Sequence, residues 1–235
     1  MMNNSVFTSL NIKNIFVIDK SFLKSDYVEI DLSANNGFFN EINVNNAKEM
    51  EQYIADFTKS KKAKIAIGGY LEKRNLYKRS KHFNKQTDPN DERNIHLGVD
   101  IWAKAGTKVV AALDGEIHSF KNNTNHGDYG PCIILKHTIK GTVFHTLYGH
   151  LSIDSINNIK IGQSVKQGAK IAQLGDSSIN GDYAPHLHFQ IIKDLHGNSG
   201  DYPGVCGLSQ LSFYKENCPN PMELLGMNKT TEQQF

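Results

Sequence analysis

The run "APHLHF", residues 184 to 189, places His186 and His188 one residue apart in an otherwise apolar setting. In a strand, side chains at i and i+2 leave by the same face, whereas in a helix they diverge by about 200°. Pro185 ahead of the pair, and the β-branched and aromatic residues of "HFQIIKD", favour a strand. Both imidazoles then face one place. On its own such a pair more often describes two half-buried histidines satisfied by carbonyls, so its meaning depends on further donors.

The chain offers more of them. "RNIHLGVDIWA" at 93 to 103 holds His96 and Asp100 four residues apart, a separation that shares a face in a strand or a helix. Val99, Ile101 and Trp102 select the strand, and Gly98 leaves room for a backbone or a metal to approach. Imidazole and carboxylate are both zinc ligands, and two histidines with one carboxylate and an open position form a common catalytic set. "TLYGHLS" adds His150, after Gly149, at a strand edge. The remaining histidines, His82, His118, His126, His137, His145 and His196, have no partner at ligand spacing and read as surface or satisfied core groups.

These donors need a scaffold, and the pattern from 95 to 193 supplies one. Short β-type segments separated by glycine-containing turns, such as "TKVVAALDGEIHSF", "CIILKHT" and "TVFHTLYGHLS", indicate a mainly β chain folded as a sandwich or barrel. "GTKVVAALDGEI" at 106 to 117 and "GQSVKQGAKIAQLG" at 162 to 175 echo one another as a weak internal repeat. Ahead of them lies a small N-terminal α/β region. Met50, Tyr53, Ile54 and Phe57 recur at helical spacing behind Asn caps, and "AKIAIGG" at 63 to 69 reads as a strand. The polar stretch 72 to 94 reads as a linker or a lid. The resulting division is 1–92 for the N-terminal region and linker, 93–225 for the β-rich domain, and 226–235 for a frayed tail.

Composition narrows the function classes. The 235 residues are 39% hydrophobic and 21% charged, with a formal net charge of +2, which is ordinary for a globular chain. So small a charge speaks against nucleic acid or an anionic membrane as partner. Cys132, Cys206 and Cys218 are odd in number and lack CxxC spacing, so buried free thiols are expected rather than a disulfide framework. The apolar run "IFVI" at 15 to 18 is too short for a signal segment or a membrane span, which leads to the expectation of a cytoplasmic protein unless a leader has been removed.

The order HxxxD, Gly-His-Leu, HxH, carried by "HLGVD", "YGHLS" and "PHLHF", resembles the lysostaphin/LytM-type zinc metallopeptidases over roughly 93 to 193. That resemblance implies a duplicated hybrid motif β-sandwich, in keeping with the weak repeat. It implies one zinc ion per chain held by His96, Asp100 and His188, with His150 and His186 in the catalytic role. The activity implied is hydrolysis of a peptide or amide bond, with cell-wall-type peptides containing Gly or D-residues as the substrate class. A narrower resemblance, over about 63 to 225, is to the peptidase-like domain of fusion proteins that also carry a phosphotransferase and an aminotransferase domain. "GGYLEKRNLY" and "DYGPCIILKH" belong to it, and it implies a cytoplasmic small-molecule amide as substrate.

Two other readings are weighed against these. A noncatalytic binding module of the same fold would be expected to lose ligands, yet all five positions are intact. The hairpins at 106–117 and 162–175 also suit biotinyl or lipoyl carriers, but no lysine stands in the required tip motif. The basic stretch with Lys73, Arg74, Lys78, Arg79, Lys81 and Lys85, anchored by Tyr70, Tyr77 and Phe83, leads to one further expectation. It folds over one end of the cleft, and Arg74 and Arg79 contact a carboxylate or phosphate of a short anionic substrate.

Overall fold

The computed structural model describes residues 15–37, 43–79 and 88–227. The chain is mainly β, as its alternation predicts. In chain order the strands are β1 (Tyr27–Glu29), β2 (Ile65–Gly68), β3 (Ile95–His96), β4 (Val99–Trp102), β5 (Lys108–Val110), β6 (Gly115–Asn123), β7 (Gly130–Ile139), β8 (Thr142–Gly149), β9 (Ser164–Val165), β10 (Lys170–Gln173), β11 (His186–Ile192) and β12 (Val205–Cys206). The helices are α1 (Ala47–Ser60), α2 (Leu211–Asn217) and α3 (Pro221–Leu225).

Among the described residues, eight strands form one mixed sheet in the order β1-β2-β4-β11-β8-β7-β6-β9. β7 and β8 join through Lys140 and Gly141, both at positive φ (50° and 78°). Positive φ at both central residues is what a tight hairpin needs to match strand twist. A second, two-stranded sheet pairs β5 with β10. Its Val109 and Ala172 share one buried cluster with Ile101, Ile133, Leu187 and Phe189 of the large sheet. The two echoing segments meet each other twice, since β5 pairs with β10 and β6 pairs with β9.

The N-terminal strands extend the same sheet. β1 runs parallel to β2, and β2 runs antiparallel to β4 with Gly68 opposite Asp100. Between them α1 is capped by Asn46, whose side chain accepts from the amides of Lys48 and Glu49. Its apolar stripe, Met50 and Ile54, packs on Ile30, Ala66 and Trp102. Residues 72–74 lie alongside β3, through Lys73 opposite Ile95 and the His96 N–H donating to the Glu72 carbonyl at 3.0 Å. Residues 72–74 of the polar stretch are therefore pinned to a strand. Its middle, with Lys81, Phe83 and Lys85, lies outside the described residues, as does most of the expected tail.

Candidate metal centre and cleft

The neighbouring central strands β4, β11 and β8 carry the chemistry. Ladder register sets His188 of β11 opposite Asp100 of β4 on one side and opposite Gly149 of β8 on the other. His96 ends β3, and His150 follows β8 directly. All five predicted residues are buried: His96, Asp100, His150, His186 and His188 are each 5% exposed or less. His96, Asp100 and His188 offer donor atoms that lie within 4.8 Å of one another. The rings of His150 and His186 lie beside them, 4.1 Å apart between centroids, and His186 Nε2 is 3.8 Å from Asp100 Oδ1.

Glycines make this closeness sterically possible. A Cβ at Gly98 would stand 2.8 Å from the His188 ring and 2.7 Å from the Phe189 carbonyl. One at Gly149 would meet the Tyr129 ring at 2.6 Å.

Hydrogen bonds decide which ring nitrogens carry protons. His96 Nδ1 faces the Gly69 carbonyl at 2.8 Å, so this nitrogen is the N–H and Nε2 keeps its lone pair. His188 Nε2 faces Gln190 Oε1 at 3.0 Å, while the Gln190 amide donates to the Pro203 carbonyl. His188 Nδ1 therefore also presents a lone pair. These two nitrogens lie 2.8 Å apart, and each is 3.2 Å from Asp100 Oδ1. Three acceptors aimed at one another repel unless a cation or protons stand between them, and the set of two imidazoles and a carboxylate suits zinc. The residues present fit the metal that the sequence implied.

His150 and His186 are arranged differently. Their Nδ1 atoms face the carbonyls of Asn180 and Ala184, each at 2.7 Å, which leaves both Nε2 atoms without the proton. Burial, then the neighbouring His186 and His188, pushes His150 well below the ordinary histidine range. Burial lowers His186 also, against the raising influence of Asp100. Burial lowers His96 to about 4. Desolvation would raise the Asp100 carboxyl, but His96, Arg74 and His186 hold it well below the usual carboxylate range.

The centre opens into a cavity of about 240 Å³. Leu32, Val44 and Met50 of the N-terminal region line it together with Asp128, Asp182 and Asp201. Arg74, expected to contact a substrate anion, reaches this wall as a buried group already paired within the protein. Its side chain is 2% exposed and pairs with Glu72 and Asp100, both at 2.5 Å, because strand-like alternation along β3 turns Glu72 and Arg74 inward and Lys73 outward. Arg79 ends a 3-10 turn (Asn75–Arg79), and its side chain lies outside the described residues. His145, read from the sequence as a surface or satisfied core group, is 9% exposed and packs edge-on against His118.

Several neighbours escaped the sequence reading. Trp102 stacks on His186, Tyr77 on His96, and Tyr183 meets His150 edge-on. Only Gln190 had a signal, as it continues the i+2 progression from His186 through His188.

Residues 94–201 match the family described as Peptidase family M23. The chain is 32% identical over 105 residues to the peptidoglycan DD-endopeptidase ShyC of Vibrio cholerae, covering 44% of this chain and 22% of that protein. It is 38% identical over 94 residues to the uncharacterized lipoprotein YgeR of Escherichia coli, covering 40% of this chain and 33% of that one. Among solved structures, the catalytic domain of the antimicrobial peptidase lysostaphin from Staphylococcus simulans is 30% identical, with 52% of this chain and 80% of that one covered and a TM-score of 0.36. The chain thus spans a third or less of the length of these two curated relatives. The expectation of a cytoplasmic protein is overturned by these relatives, since a lipoprotein and an enzyme of peptidoglycan belong outside the cytoplasm. A short first apolar run was too weak a ground for it. Among the described residues no helix is long and apolar enough to cross a membrane.

Proposed function

We propose that this chain, which belongs to peptidase family M23 through residues 94–201, is a zinc-dependent peptidase acting on cell-wall peptides. One observation carries the metal: lone pairs of His96 Nε2, His188 Nδ1 and Asp100 Oδ1 converge on one point, with the protons of both rings held elsewhere. The substrate class is supported by the similarity to ShyC, a peptidoglycan DD-endopeptidase, and by the intact His150 and His186 beside the ligand set.

Zinc bound at these three donors supplies Lewis-acid polarisation of a scissile carbonyl and a water acidified towards neutrality. The chain's own residues do the rest. His150 and His186, kept neutral by burial and oriented through Nδ1, present two Nε2 acceptors to the cleft. One takes the proton of the attacking water, and the protonated ring then delivers it to the leaving amine. Asp100, ionised and buried, steadies the positive charge that passes through His186.

The test is elemental analysis and hydrolysis of defined muropeptides on the same purified sample. One zinc per chain and cleavage of an amide bond are expected. Asp100→Ala should lose both, whereas His150→Ala and His186→Ala should keep the metal and lose about 10²–10⁴ in rate. A metal-free, inactive native chain, or full activity after either histidine substitution, overturns the reading.

A further inference from the structure

We infer that Arg74 is a positioning residue of the metal centre, holding Oδ2 of Asp100 so that Oδ1 alone faces His96 and His188, and that Glu72 and the Leu32 backbone complete this support. The inference rests on the proposed ligand set. It concerns residues ahead of 94–201, the stretch that the family match covers.

The support is a continuous buried chain of bonds. The Leu32 amide donates to Glu72 Oε1 at 2.9 Å, Arg74 Nε donates to Glu72 Oε2, and Arg74 Nη1 donates to Asp100 Oδ2. The side chains of Glu72, Arg74 and Asp100 are 5%, 2% and 4% exposed. Within it a guanidinium can do what an ammonium cannot, since its planar fork serves two carboxylates in fixed directions. Nη1 also reaches the Tyr77 hydroxyl at 3.3 Å, and the Tyr77 ring stacks on His96. The guanidinium lies 5.9 Å from the Trp102 ring, which stacks on His186. Arg74 thus touches the partners of both kinds of histidine.

Gly69 makes the slot. A Cβ there would fall 1.9 Å from Arg74 Nη2, and the Gly69 φ of +101° disfavours any other residue. The carbonyl of the same glycine accepts the hydrogen bond donated by His96 Nδ1–H. One backbone turn therefore orients the first ligand and admits the guanidinium that orients the second. Outer partners of this kind raise metal affinity by fixing ligand direction before the ion arrives.

The experiment measures Zn²⁺ affinity by competition with a chromophoric chelator, and the visible spectrum of the Co²⁺-loaded protein, for the full chain and its variants. Arg74→Met should weaken Zn²⁺ binding by about 10–100-fold and shift the Co²⁺ bands, with Arg74→Lys recovering part of each. Glu72→Gln should weaken binding in the same direction by less. A folded Arg74→Met chain with affinity within about twofold of the native value and an unaltered Co²⁺ spectrum, its loss confined to melting temperature, overturns the inference. Should Arg74→Met fail to fold, Glu72→Gln decides by the same readings. The ligand set is judged separately: Asp100→Ala that still binds Zn²⁺ at native affinity overturns both readings. A metal-free Asp100→Ala beside an unchanged Arg74→Met overturns this one alone.

Discussion

At the scale of single residues, the two histidines of the HxH pair differ by what lies behind each ring. His188 points Nε2 at Gln190 and turns Nδ1 towards Asp100, whereas His186 points Nδ1 at a backbone carbonyl and turns Nε2 inward. A side-chain acceptor can be removed by mutation, so Gln190 tests the assignment. Gln190→Leu is expected to leave the strand intact and lower Zn²⁺ affinity by about 10-fold or more, read by chelator competition. Unchanged affinity would show that the His188 tautomer is set by something else, with Tyr129, whose hydroxyl lies 3.4 Å from the same nitrogen, the next residue to examine.

At the scale of elements, the corner between β3 and β4 brings the first two ligands together, and Gly98 sits within it. Gly98→Ala places a methyl group 2.8 Å from the His188 ring, closer than ordinary contacts allow. Metal affinity and the thermal midpoint are therefore expected to fall together, because the methyl group also stands 2.7 Å from the Phe189 carbonyl and displaces backbone as well as ring. α1 provides the opposite case. Asn46→Ala removes a cap that satisfies two orphan amides and is expected to cost about 1 kcal/mol of unfolding free energy, measured in urea. Zn²⁺ affinity should not change, since the helix meets the centre through packing of Met50 and Ile54 near Trp102 and through the cavity wall, and its side chains supply none of the proposed ligands. A parallel loss of metal binding would mean that this packing reaches the ligands.

At the scale of the whole molecule, burial of so many imidazoles makes acid a threat. Burial first, and in part neighbouring histidines, takes His96 and His145 from 6.5 to about 4 and lowers His137, His150 and His186. Above 6.5 the folded and unfolded chains hold these rings alike, whereas between about 6.5 and 4 the unfolded chain binds the extra protons. Stability of the metal-free protein should consequently fall as pH drops through that window. The urea midpoint at pH 5 is expected below that at pH 7.5. His145→Gln, placed four residues along the β8–β11 ladder from His188, should recover part of the difference. Equal midpoints at the two pH values would contradict the burial argument.

What the residues alone determined is whatever depends on local periodicity. Alternation made β11 a strand and put His186, His188 and Gln190 on one face, whereas His96 and Asp100, expected on a single strand, stand on β3 and β4 and meet across the corner at Gly98. The mainly β class followed from segment length and turn glycines, and the echo of 106–117 in 162–175 has a counterpart in the pairing of β5 with β10 and of β6 with β9. Only the tertiary structure decided register and neighbours. That His188 stands opposite Asp100 and Gly149 depends on how three distant segments slide against one another, and ladder hydrogen bonds set this without any trace in their separate compositions. Arg74 shows the limit most clearly. In sequence it belongs to a basic run expected to meet a substrate anion at the cleft. Its place beside β3 turns it inward, where Glu72, Asp100 and the missing side chain of Gly69 together make a buried guanidinium tolerable.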